Sequence, residues 1–154
     1  MTVSMTAFKR AILLFWALWW LLAFLTDALG GLTEIGAIAA AWLPHSNYPG
    51  LVQSLAPYHP PGWLPPFLFV GIIAWSLLST VLFALAASTP RQPAERWRRR
   101  SNAAFIVSLG LWLAFFLADQ VVMKFDLEEN HMVQGGFQLL TFLAIHLLPE
   151  DRSP

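Results

Sequence analysis

Long apolar runs separated by short polar interruptions dominate this chain. The first occupies 11–29 (AILLFWALWWLLAFLTDAL) directly after Lys9 and Arg10. At about 1.5 Å of rise per residue a run of this length nearly crosses a hydrocarbon core of about 30 Å. A second run, 66–87, is entered through Pro65-Pro66, where proline suits a helix start; its Gly71, Ser76, Ser79 and Thr80 permit close helix approach. Two more follow at 103–123 and 132–148, the last closed by Pro149. Positive residues before an apolar core also mark a cleaved signal peptide. Three tryptophans in the core and the lack of a clean A-x-A site close behind it favour a retained helix.

The segments between the runs differ in character. In 30–65, Gly30-Gly31 is expected to end the first helix, and 32–43 reads as an interfacial or re-entrant helix begun by Thr33 and stopped by Pro44. The rest of that segment is rich in proline and carries Tyr48, Tyr58 and Trp63, residues suited to the headgroup region. This predicts an outer-face cap. The segment 88–102 is a basic loop with Arg91, Arg96, Arg98, Arg99 and Arg100, whereas 124–131 is an acidic turn. Cytoplasmic loops carry the excess of Lys and Arg. With Lys9, Arg10 and Arg152 on the same side as the arginine loop, only Lys124 stands opposite. The expectation is an all-α integral membrane protein: a single domain, 1–154, forming a four-transmembrane-helix antiparallel bundle in the cell's inner (plasma) membrane, both termini cytoplasmic.

Composition agrees with that class and removes others. Hydrophobic residues make up 57% of the chain and charged residues 12%, about half the soluble average. Formal net charge is zero, which gives no basis for binding nucleic acid. There is no cysteine, so disulfides, thiolate metal sites and thiol nucleophiles are excluded. No G-x-G-x-x-G, P-loop, H-E-x-x-H or G-x-S-x-G pattern occurs, and no catalytic residue is assigned.

The densest polar set within lipid-like sequence lies from Asp119 to Thr141. On the last run His131, Gln134, Gln138 and Thr141 are spaced 3, 4 and 3, forming one helical stripe with Gly135 beside it. Amides in hydrocarbon need partners, so interhelical hydrogen bonding is the bland reading. The functional reading is an outward-facing pocket lined by Asp27, Asp119, Gln120, His131, Gln134, Gln138 and Thr141, with Trp16, Trp19, Trp20 and Trp112 as apolar walls. No cofactor is required, but such a pocket suits a quinone, whose carbonyls seek donors and whose ring and tail seek apolar contact. His45, His59 and His131 are the residues a metal would use; they lack any recognised spacing, and none is assigned as a ligand. His131 and His146 lie roughly 22 Å apart along a helix and cannot share a haem iron. Arg96, Arg98, Arg99 and Arg100 form a topological signal and a candidate docking surface for anionic lipid or a protein partner.

The layout of four short spans with an apolar outer segment after the first resembles the DoxX/MauE type of small membrane protein, whose members often partner redox enzymes. Where that family has a Gly-x-x-Lys-Leu-like end of helix one, this chain has LAFLTDALGG, so the resemblance carries no residue roles. Two functions are therefore expected: an accessory subunit of a larger membrane complex or homo-oligomer, or a quinone- or proton-linked ligand-binding protein. An oligomeric small transporter is a third.

Overall fold

The computed structural model describes residues 4–39, 46–90 and 93–149, and among the described residues every regular element is helical. α1 spans Met5–Glu34, α2 Tyr48–Leu55, α3 Leu64–Ser88, α4 Ala94–Val122 and α5 Phe125–Leu147; a single 3-10 turn, Ala56–Tyr58, follows α2. α1, α3 and α4 are long and apolar enough to cross a membrane. α5 is of similar length but polar residues interrupt it.

Several expected boundaries move, each for a physical reason. Gly30-Gly31 does not end α1, which continues to Glu34. A Cβ on Gly30 would stand 3.0 Å from Ser46 Oγ, and one on Gly31 3.3 Å from Phe69 Cε1. The pair is therefore a surface of close approach, and packing outweighs the helix cost of about 1 kcal/mol per glycine. Of the expected helix 32–43, residues 32–34 belong to α1, 35–39 are turn and bend, and 40–43 lie outside the described residues. Thr33 caps nothing; its hydroxyl donates to Leu29 O at 3.0 Å. The short helix of this region is α2, with Pro49 in its first turn.

The basic stretch is helical from Ala94 on, while Arg91 lies outside the described residues. Arginine is a strong helix former, and α4 begins at Ala94, so Arg96, Arg98, Arg99 and Arg100 lie on its first two turns. The acidic stretch is likewise helical, and Asp126 and Glu128 stand in the first turn of α5, where negative charge complements the helix dipole.

α1 packs along α3, α3 along α4 and α4 along α5, while α1 and α5 touch lightly. At one end Lys9 Nζ donates to Leu148 O at 2.8 Å, and Arg10 and Arg100 both donate to Thr89, at 3.3 Å to its carbonyl and 2.8 Å to its hydroxyl. His146 Nε2 meets Asn102 Oδ1 at 2.8 Å. The starts of α1 and α4 thus lie beside the ends of α3 and α5, and packed neighbours run antiparallel. Leu13, Trp16, Trp20, Phe83, Phe105, Trp112 and Ile145 form the buried core. Large apolar side chains cover the outside, such as Leu18, Phe67 and Leu117.

Gly135 sets the α4–α5 distance: a Cβ there would stand 2.9 Å from Phe116 Cζ and 3.1 Å from Trp112 Cβ, while Gly136 has open space. Gly135→Ala is expected to destabilise the protein by about 1–3 kcal/mol through overpacking. Gly136→Ala should instead stabilise it by up to about 1 kcal/mol. Thermal unfolding in mild detergent checks the pair, and equal shifts for both would refute the close approach.

Candidate functional site

A tight turn places the central pair of polar residues. α4 ends in a Schellman-type cap: Met123 takes a left-handed conformation (φ 54°), and the Lys124 N–H donates to Asp119 O at 3.0 Å. Only Met123 and Lys124 separate α4 from α5, so the first turns of α5 fold back along the last turns of α4. His131 Nδ1 thereby reaches Asp119 Oδ2 at 2.6 Å. The carboxylate takes the Nδ1–H, which leaves Nε2 as the nitrogen available to another molecule. The imidazole stacks on Phe115, with ring centroids 4.7 Å apart and planes 17° from parallel, and lies 5.9 Å from the Trp112 ring. Asp119 is 5% exposed.

The second carboxylate comes from α1. Asp27 lies two turns before the end of that helix and is buried; its Oδ1 accepts from Asn47 Nδ2 at 2.7 Å. Asp27 and Asp119 line one cavity of about 730 Å³, bounded by α1, α2, α3, α4 and α5. Asn47, Ser54, Asn130, His131 and Gln134 add polar groups to its wall, and Trp19, Trp20, Trp75, Trp112 and Phe115 add aromatic faces. The volume falls in the ordinary range of small-molecule sites. Each acid has its own partner, Asn47 for Asp27 and His131 for Asp119.

The polar stripe of α5 divides between two tasks. His131 and Gln134 line the cavity, Gln134 Nε2 donating to Asn130 Oδ1 at 2.9 Å. Gln138 and Thr141 instead join helices. Trp112 Nε1 donates to the fully buried Gln138 Oε1, and Trp16 Nε1 to Thr141 Oγ1, both at 2.8 Å. Gln120 lies apart on the surface, bonded to both Glu128 carboxylate oxygens at 2.8 Å. Of the proposed metal residues, His45 lies outside the described residues, and His59 is exposed at the end of the 3-10 turn. Among the described residues no three His, Asp or Glu side chains converge on a point where they would hold a metal.

Sequence reasoning missed Asn47, Ser54 and Asn130. Asn47 precedes a Pro-bearing short helix, a signal for a helix start, but nothing local pairs it with Asp27 twenty residues away. The geometry defines a helical membrane protein with a polar-ended aromatic cavity between its helices. No family model matches the chain, and no curated protein or solved structure is detectably similar to it.

The Trp112–Gln138 bond generates a test of coupling. Trp112→Phe leaves the Gln138 carbonyl buried and unpaired and should cost about 1–3 kcal/mol. Gln138→Leu strands the indole N–H at a similar cost, while Trp112→Phe/Gln138→Leu removes both groups and should cost clearly less than the two singles combined. Strict additivity in unfolding measurements would show that the bond contributes nothing.

Proposed function

We propose that this chain is a four-span inner-membrane protein, both termini cytoplasmic, which binds a small lipophile with a hydrogen-bonding head beneath an outer-face cap. A quinone or its hydroquinone is the class of ligand that fits. One observation carries the reading: the Asp119–His131 pair stands at the wall of a cavity that is otherwise largely apolar. With Nδ1–H held by the carboxylate, neutral His131 offers Nε2 as acceptor to a ligand hydroxyl, and the imidazolium offers Nε2–H to a carbonyl. Trp20 supports the fit, because it lines the cavity and its buried indole N–H has no partner among the described residues.

The fourth span rests on α5. Its 23 residues measure about 34 Å as a helix. His131 and Gln138 are bonded to α4 and Thr141 to α1, and its exposed side presents Val133, Phe137, Leu140 and Leu147. The orientation rests on the cations gathered at the Lys9 end. The accessory-subunit reading draws on the apolar exterior, which lipid accounts for equally well.

A short-chain benzoquinone titrated into the full chain in lipid nanodiscs should quench tryptophan fluorescence saturably, since four tryptophans line the cavity. His131→Gln should weaken the apparent affinity by about tenfold, the value of a charge-assisted hydrogen bond, and Asp119→Asn by less. Quenching that stays linear, or that both variants leave unchanged, would sink the ligand reading. A reporter fused after Pro154 should be active on the cytoplasmic side and one inserted at Gly62 on the other. An extracytoplasmic signal after Pro154 would overturn the four-span count.

A further inference from the structure

The wall of the 730 Å³ cavity is not closed all round. Its lining residues on α1, from Trp19 to Asp27, and His131 and Gln134 on α5 are buried or half-buried. Exposed lining residues occur in two places. One is beside the cap, at Gly50 and Asn130; the other is between α3 and α4, where Phe67, Leu68, Gly71 and Trp75 face Ala114 and Ala118. We infer, on the ligand reading above, that this gap between α3 and α4 is a window to the bilayer and that the ligand is a tailed lipophile. Its head reaches the Asp119–His131 pair, and its hydrocarbon tail leaves through the gap.

Two ties frame the window. Trp75 Nε1 donates to Val107 O at 2.8 Å, and its ring lies against α4, since a Cβ on Gly110 would stand 3.4 Å from Trp75 Cζ2. Toward the other end the Tyr58 hydroxyl, on the turn that leads into α3, donates to Val121 O. Small residues on neighbouring helices ordinarily let the backbones close together, yet between these ties they do not: a Cβ on Gly71 would meet nothing within 4 Å. Gly71 lies about 10 Å inside α3, and both helices are long and apolar enough to cross a membrane. The gap therefore opens onto hydrocarbon.

Chemistry separates the two openings. Every exposed lining residue of the window is apolar, whereas Asn47 and Asn130 stand at the cap opening. A lipophile concentrates in the bilayer, and a lateral opening lets its head reach His131 while its CH2 groups stay out of water. Trp20 points independently to what enters. It lines the cavity, is 2% exposed, and its indole N–H has no partner among the described residues. A buried donor in apolar surroundings calls for an acceptor, which a carbonyl on the ligand head supplies.

The test compares two benzoquinones of the same ring, one short-chain and one bearing a decyl tail, as quenchers of tryptophan fluorescence in the full chain in lipid nanodiscs. At equal bilayer mole fraction wild type should bind the two within about twofold, because a tail that stays in lipid loses little. Gly71→Leu and Ala114→Leu fill the gap from its two sides and should weaken the tailed quinone by about tenfold and the short one by less than about twofold, the effect of overpacking confined to the tail. Retained binding of the short quinone reports that each variant is folded. A wild type that binds the tailed quinone at least about tenfold more weakly than the short one overturns the window, since the tail then has no exit. The same holds if both variants treat the two quinones alike. Selective loss of the tailed quinone in Gly50→Leu and not in Gly71→Leu overturns it in favour of the cap opening. In these three outcomes the short quinone still quenches saturably and the ligand reading stands; if neither quinone does, both fall together.

Discussion

A hydrogen-bonding group inside hydrocarbon has no water to fall back on, and three indole donors of this protein meet that constraint across helix boundaries. Trp16 on α1 reaches Thr141 on α5, Trp112 on α4 reaches Gln138 on α5, and Trp75 on α3 donates to Val107 O on α4, each at 2.8 Å. In lipid, apolar contact gives little reward for bringing helices together, so packing and interhelical hydrogen bonds set the arrangement. α5 depends on them most. Among the described residues it is the one long helix that composition does not mark as membrane-crossing, and its Gln138 Oε1 and Thr141 Oγ1 each accept from a tryptophan.

Those bonds also determine where the site can be. With Gln138 fixed on Trp112 and Gly135 pressed against the same residue, the register of α5 on α4 has no freedom to slip. About one turn beyond Gly135 toward the α4–α5 turn, that register brings His131 onto Asp119 and flat against Phe115. Trp112 touches both ends of this chain of contacts, since its nitrogen holds Gln138 while its ring packs near the imidazole. The cavity pair is thus positioned by the same residues that hold the helices together.

How much of this was legible in the sequence follows from which interactions are local. The apolar runs and the 3-4-3 stripe with its glycine could be read directly, because helical periodicity alone puts His131, Gln134, Gln138 and Thr141 on one face. Their division into cavity wall and interhelical bonds could not, since the donors come from Trp16 and Trp112, residues whose ring packing hides the direction of their N–H groups. Gly30-Gly31 misled for a related reason: a glycine pair looks like a stop until Ser46 and Phe69 are found resting against it. The arginine and acidic stretches were read as loops from their charge, although arginine has strong helix propensity and the acids suit a first helical turn.

The stretch from Ser46 to Trp63 was the least legible and has the largest effect on the site. It is tied to three different helices: Asn47 to Asp27 on α1, Tyr48 to Phe69 on α3, and the Tyr58 hydroxyl to Val121 O on α4. The last bond satisfies one of the carbonyls that every helix leaves open at its C-terminal turn. The first gives Asp27, buried two turns inside α1, a neutral donor, and a buried acid without such a partner would be costly. A segment rich in proline therefore serves as a wall of the cavity, contributing Asn47 and Ser54 to its lining. Remove the Asn47 contact and Asp27 loses the one polar partner that makes its depth tolerable, so α1 and this segment must be read as a single structural unit.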